Sequence, residues 1–186
     1  MQYEKRILYL PAFHIDTTVI KARDELPAVG YLEKWANNKV INVCISNIAF
    51  NSLSQSHKDI GKIFIVVNKT INEFEPLFHK VASTIFPSGI KNQQHKSIVK
   101  IVCQAIEQKA IYVVYDNGSE KQPGGVLGNG HGLNDMVQIM HINDAIRFIN
   151  NKIIERDSNN KKTANIVSKP LPEWTDKDQV LIEDYS

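Results

Sequence analysis

Apolar and polar positions follow two rhythms along this chain, and each change of rhythm marks an element. Ile111-Tyr112-Val113-Val114 is a continuous β-branched and aromatic run, the pattern of a strand covered on both faces. Asp116 follows it, and Asn117-Gly118 supplies turn chemistry. Upstream, Ile98, Ile101, Val102, Ala105 and Ile106 fall at helical spacing, so a helix from His95 is predicted to feed that strand. Tyr31, Leu32, Trp35 and Ala36 form a second stripe; Pro27 opens that helix and Asn37-Asn38 closes it. A third helix, from about Asn72 to Ile85, carries Phe74, Leu77, Phe78, Val81 and Ala82, and Pro87 and Gly89 end it. Ala22 to Leu26 reads as a single helical turn.

Shorter apolar runs predict the remaining strands. Ile7 to Leu10 starts one; Pro11 interrupts it, and Ala12 to Ile15 resumes it. Val40 to Ile45 and Val137 to Met140 are two more, while Lys62 to Val67 reads as a strand or as a buried irregular segment. Ser46 or Asn47 is expected to cap a helix from Ile48 to about Gln55. Asn143 is expected to cap a last helix, Asp144 to about Glu155, burying Ala145, Phe148 and Ile149. Gly118 to Gly132 reads as a polar, glycine-rich loop. Helix and strand alternate, which predicts an α/β fold with a parallel sheet. Asp157 to Lys162 reads as a linker, dividing a domain at 1–156 from a C-terminal tail at 157–186. The tail is too sparse in apolar residues for a core, so it is expected to be mobile or to pack across a surface. Trp174 and Leu181-Ile182 are its candidates for docking a partner.

Composition narrows this modestly. The chain has 186 residues, 42% hydrophobic and 23% charged, which suits one globular domain plus a tail. A net charge of +2 neither demands nor excludes nucleic acid, so a basic patch would have to arise by clustering. Cys44 and Cys103 lie in apolar runs and read as buried hydrophobes in a reducing compartment, which predicts a cytoplasmic protein. No apolar run approaches ~18 residues, so no membrane span is expected. The N-terminal run, broken by Pro11 and polar residues, does not read as a signal peptide.

Open α/β sheets gather ligands beyond the carboxyl ends of their strands, where Asp116 is predicted to stand. Asp16 is a second carboxylate just past a strand; its simpler role is to cap the following helix. His14 shares the strand side of Asp16 and reads as a substitute ligand or as a buried structural histidine. His95 reads as a phosphate contact, an acid/base group or a solvated histidine. Asp135 and Asp144 flank the last strand, where Asp144 suits a helix dipole. Gly128 to Gly132 opens no helix after a strand, so it makes a poor phosphate loop. No Cys/His set has zinc spacing, and no Gly-x-Ser-x-Gly elbow is present.

Four stretches, in order, resemble the PIN-domain family: Asp16 to Thr18, Leu32 to Leu53, His95 to Gly118 and Gly124 to Ile149. The resemblance spans about residues 5–152 and implies a three-layer α/β/α sandwich around a mainly parallel sheet. Active members are magnesium- or manganese-dependent ribonucleases, many of them toxins of toxin–antitoxin pairs. Their clustered acids suit hard cations beside an anionic phosphodiester, where the metal activates water. Residue by residue, the first family acid falls on Asp16, with Thr18 where asparagine is usual. The second falls on Ser52, the third on Ile98 and the last on Asp116, so two of four acids are kept.

The resemblance thus makes Asp16 and Asp116 the catalytic and metal-binding candidates, with Thr17, Thr18, Ser52, His95, Ile98 and Asn117 near the site. Two carboxylates would hold Mg or Mn weakly, through waters. The expectation is therefore a degraded nuclease centre that binds single-stranded RNA or a protein partner. The alternative is an active Mg- or Mn-dependent ribonuclease using Asp16 and Asp116, helped by His14, His95 or a second subunit. A homodimer is implied by the resemblance alone.

Overall fold

The computed structural model describes residues 2–115 and 125–181. Its centre is a sheet of five parallel strands in the order β3-β2-β1-β4-β5. The strands are β1 (Phe13–Ile15), β2 (Val43–Ser46), β3 (Ile65–Val67), β4 (Ile111–Val114) and β5 (Ile139–His141). The helices are α1 (Thr17–Lys21), α2 (Pro27–Asn37), α3 (Asn47–Asn51), α4 (Pro76–Ile85), α5 (Gln93–Glu107), α6 (Val126–Asn129) and α7 (Ile142–Val167). Short 3₁₀ segments cover Gln55–Lys62 and Gly130–Leu133. The helices pack as two sets, α2 with α7 and α3 with α5 and α4, giving a three-layer α/β/α sandwich. Among the described residues no helix is long and apolar enough to cross a membrane.

The three central strands are buried along their whole length, as their apolar sequences require. Beside them lie Trp35, Leu32, Ile149 and Ile153, all fully buried. Cys44 and Cys103 are free and buried, as their apolar neighbours imply. Local chemistry sets the helix ends. Pro27 and Pro76 open α2 and α4, and side chains of Asp16, Ser46 and Asn92 cap α1, α3 and α5. Strand order makes β1 and β4 neighbours, and the chain leaves β1 for β2 on one side and runs from β4 to β5 on the other. The crevice between the carboxyl ends of β1 and β4 is therefore the topological switch point.

Several boundaries differ from the sequence pattern. Ile7 to Leu10 forms no strand; its backbone reaches the core through one bond, from Leu8 N to Val40 O at 2.7 Å. The helix after β2 stops at Asn51, because Ser52 caps it and a 3₁₀ segment follows. Helix α1 forms at Thr17–Lys21, ahead of the expected turn, because Asp16 nucleates it. The expected loop up to Gly132 contains α6 and a 3₁₀ turn from Val126 onward, and residues 118–124 lie outside the described residues. His141, not Asn143, caps α7: its Nδ1 accepts from Asn143 N at 3.2 Å.

The largest difference is the expected linker. Residues 157–162 are helical, and α7 runs on to Val167. Polar side chains are buried there because each has a partner. Arg156 donates to Asp157 and to Asp178, and Asp157 accepts from Asp176 N and Gln179 Nε2, each at 3.0 Å. Asn160 Oδ1 accepts from Glu4 N at 2.8 Å. Residues 168–181 return across this surface. Trp35 Nε1 donates to Asp178 O at 2.7 Å, Asn150 exchanges two bonds with Val180, and Trp174 lies over the Arg156 guanidinium. Of the docking candidates, Trp174 is thus taken up by Arg156, Leu181 is exposed, and Ile182 lies outside the described residues.

Candidate functional site

Beyond the carboxyl end of β1 a pocket of about 350 Å³ opens between α1, α3 and the first turns of α5. Asp16, Thr17, Thr18, Ser52 and Ile98 all line it, so five of the eight residues singled out by the sequence converge there. Asp116 and Asn117 lie outside the described residues. His95 does not line the pocket. Its ring stacks on Phe86 with centroids 4.1 Å apart and planes 1° from parallel.

Asp16 is nearly buried and both its oxygens are engaged. Oδ2 accepts from Thr18 N at 3.0 Å and from Thr18 Oγ1 at 2.7 Å, which is the capping role its position after a strand predicts. Oδ1 accepts from the Tyr112 hydroxyl at 2.8 Å. Thr18 Oγ1 also accepts from Tyr115 N at 3.3 Å, tying α1 to the end of β4.

Tyr112 is the residue sequence reasoning missed. It hides within an apolar strand, yet a buried phenol needs a partner, and the nearest strand end offers a carboxylate. Burial first, then the charge of Asp16, pushes its hydroxyl well above the usual range, so it remains a donor. His14 pairs in register with Tyr112 on the neighbouring strand and is fully buried, with neither ring nitrogen bonded among the described residues. Burial pushes its pKa down to about 4 despite the nearby Asp16 charge, so the ring is neutral. It is a structural histidine within the sheet and takes no part in lining the pocket.

The other walls are neutral or cationic. Lys21, Gln93, Gln94 and Ser97 are further lining residues that the sequence pattern did not single out. The Ser52 hydroxyl donates to Ala49 O at 2.7 Å, closing α3. Ile98 is half-buried, packing on the core with one side and facing the pocket with the other, together with Ile48 and Ile101. A hard divalent cation wants several oxygen anions, and the described lining offers one carboxylate, already holding three donors, beside an ammonium. The described donor set does not fit magnesium or manganese, and among the described residues no group of three or more His, Cys, Asp or Glu could hold a metal.

Three further acids are engaged at the surface. Asp135 pairs with Lys80 at 3.2 Å, Asp59 pairs with Arg23 at 2.8 Å, and Asp144 sits in the first turn of α7 with Arg147. Comparison with protein-family models, with curated proteins and with solved structures returns no match for this chain.

Proposed function

We propose that this chain is a PIN-domain-like protein with a degraded nuclease centre, whose pocket beyond β1 binds single-stranded RNA with little or no cleavage. One observation carries the reading. Three positions that the resemblance aligns with acids, Asp16, Ser52 and Ile98, line a single pocket, and one of them is acidic. What replaces the acids suits binding. Lys21 offers a charge to a phosphate, and Thr17, Ser97, Gln93 and Gln94 offer hydroxyls and amides to base edges and 2′-hydroxyls. Ile48, Ile98 and Ile101 offer an apolar wall to a base or ribose face. Magnesium and manganese have no step in this reading.

The test is fluorescence anisotropy with a labelled single-stranded RNA in a chelating buffer, followed by incubation with Mg²⁺ or Mn²⁺. Binding without metal, weakening with salt and leaving the RNA intact, is the expected result. Asp16→Asn should bind RNA at least as tightly, because it removes a negative charge beside Lys21. Metal-dependent cutting that disappears in both Asp16→Asn and Asp116→Asn would overturn the reading in favour of an active ribonuclease.

A further inference from the structure

Phe74 is 87% exposed, unusual for so large an apolar side chain, and it does not stand alone. It borders a groove of about 480 Å³ lined by Phe78, His79, Phe86 and Ile90 among others. The turn that presents it is pinned. Asn72 Oδ1 accepts from Phe74 N at 3.0 Å, and Glu73 is held by Lys96 at 2.9 Å and Lys100 at 2.7 Å on α5. Glu73 is the one acid on the groove lining and is paired with Lys96 and Lys100; the exposed Glu75 beside Phe74 offsets the second lysine. Lys91, exposed in the loop that closes the groove, has no ion pair among the described residues.

The groove also lies next to the pocket. Phe86 lines the groove and stacks on His95, which lies on α5 between the pocket-lining Gln94 and Ser97. The Phe86–His95 stack therefore stands between the two cavities.

We infer that the Phe74 groove is a base-stacking platform for the same single-stranded RNA strand, continuing its path out of the pocket. The inference rests on the RNA-binding reading of that pocket. A fixed, outward-facing aromatic ring accepts the π-face of any base, and the exposed Lys91 offers its charge to a phosphate. Phe78 and Phe86 back the platform, and His95 serves as its rear support. Phe74 is bonded through its backbone and leaves its ring to the ligand.

The experiment measures anisotropy of a single-stranded RNA of about twelve nucleotides, long enough for both cavities. Binding is compared for the unaltered chain and for Phe74→Ala, Phe74→Trp and Lys21→Ala. Phe74→Ala should weaken binding about tenfold, whereas Phe74→Trp should keep the affinity and show tryptophan quenching on titration. Lys21→Ala should also weaken binding. Weakening by Lys21→Ala but not by Phe74→Ala would overturn the platform and leave the pocket standing. The reverse pattern would remove the pocket reading and so overturn the inference of one strand running from pocket to groove. An unaltered chain that binds no RNA, or a Phe74→Ala change in sedimentation rather than in RNA affinity, would overturn the inference in favour of a protein or self-association surface.

Discussion

Asp16 and Asp178 are both buried carboxylates, and the molecule answers their charges in opposite ways. Asp16 is held by a backbone N–H, a threonine hydroxyl and a phenol, all neutral. Asp178 is held by cations: Arg6 in a two-pronged bond, at 2.7 and 3.0 Å, and Arg156 at 3.4 Å, with Asn38 adding an amide. Neutral donors solvate a charge without cancelling it, so Asp16 still projects a negative field toward the pocket. Guanidinium groups cancel the charge of Asp178 and fix three distant parts of the chain in one place: the N-terminal segment, α7 and the returning tail. The first arrangement suits a site that faces a ligand; the second suits a clasp.

The clasp should therefore be the more sensitive to loss of its acid. Asp178→Ala leaves Arg156 with Asp157 as its single acidic partner and leaves Arg6 with none among the described residues. A buried cation stripped of a partner costs about 3 kcal/mol. Urea unfolding at neutral pH should show that loss, and limited proteolysis should cut residues 168–181 first. A loss under about 0.5 kcal/mol, the range of an ordinary surface substitution, would show that the tail merely lies on the domain.

How much of this was legible in sequence depends on how each charge is satisfied. Ile111–Val114 announces β4 because an unbroken apolar run has one economical use, and Asp16 announces a cap because it follows a strand and precedes two threonines. The clasp was invisible because Asp157 and Asn160 look like solvated linker residues, and Arg156 like a polar residue at the helix end, until their partners, more than a hundred positions away in the case of Arg6 and Glu4, are known. At the pocket, Asp16 was legible from its place just after a strand, and Ser52 and Ile98 only through the resemblance. Lys21, Gln93, Gln94 and Ser97 carry no pattern of their own and become lining residues only when α1 and α5 are brought together. Asp116, on which the sequence argument leaned hardest, is outside the described residues.

Acid should sharpen the contrast from the Asp16 side. His14 stays neutral in the fold until about pH 4, whereas the unfolded chain protonates it near 6.5. Between those values the unfolded state binds the extra proton, so stability is full above pH 6.5 and falls as pH drops toward 4. The expected loss is about 3 kcal/mol, with no further contribution from this group below pH 4. Carboxylates also titrate on the way down, so the readout is the difference between the unaltered chain and His14→Phe in thermal unfolding across pH 7 to pH 4. His14→Phe should be flatter by that amount. Parallel curves would mean that the ring gains a partner on protonation.

The smallest effect should come from the phenol. Tyr112→Phe keeps the ring in its fully buried place and removes one hydrogen bond to an ionised oxygen, worth about 1.5 kcal/mol. Asp16 retains both bonds from Thr18, so the cap of α1 survives. Tyr112 does not line the pocket, so RNA affinity should stay within about twofold, less than 0.5 kcal/mol on the usual conversion. Two measurements, urea unfolding and RNA anisotropy, then separate two roles for the phenol. A modest loss of stability with affinity unchanged means that it supports a carboxylate whose charge the pocket keeps. A loss as large as that of Asp178→Ala would mean that Asp16, too, belongs to a structural network, and that the pocket borrows its lining from the framework of the fold.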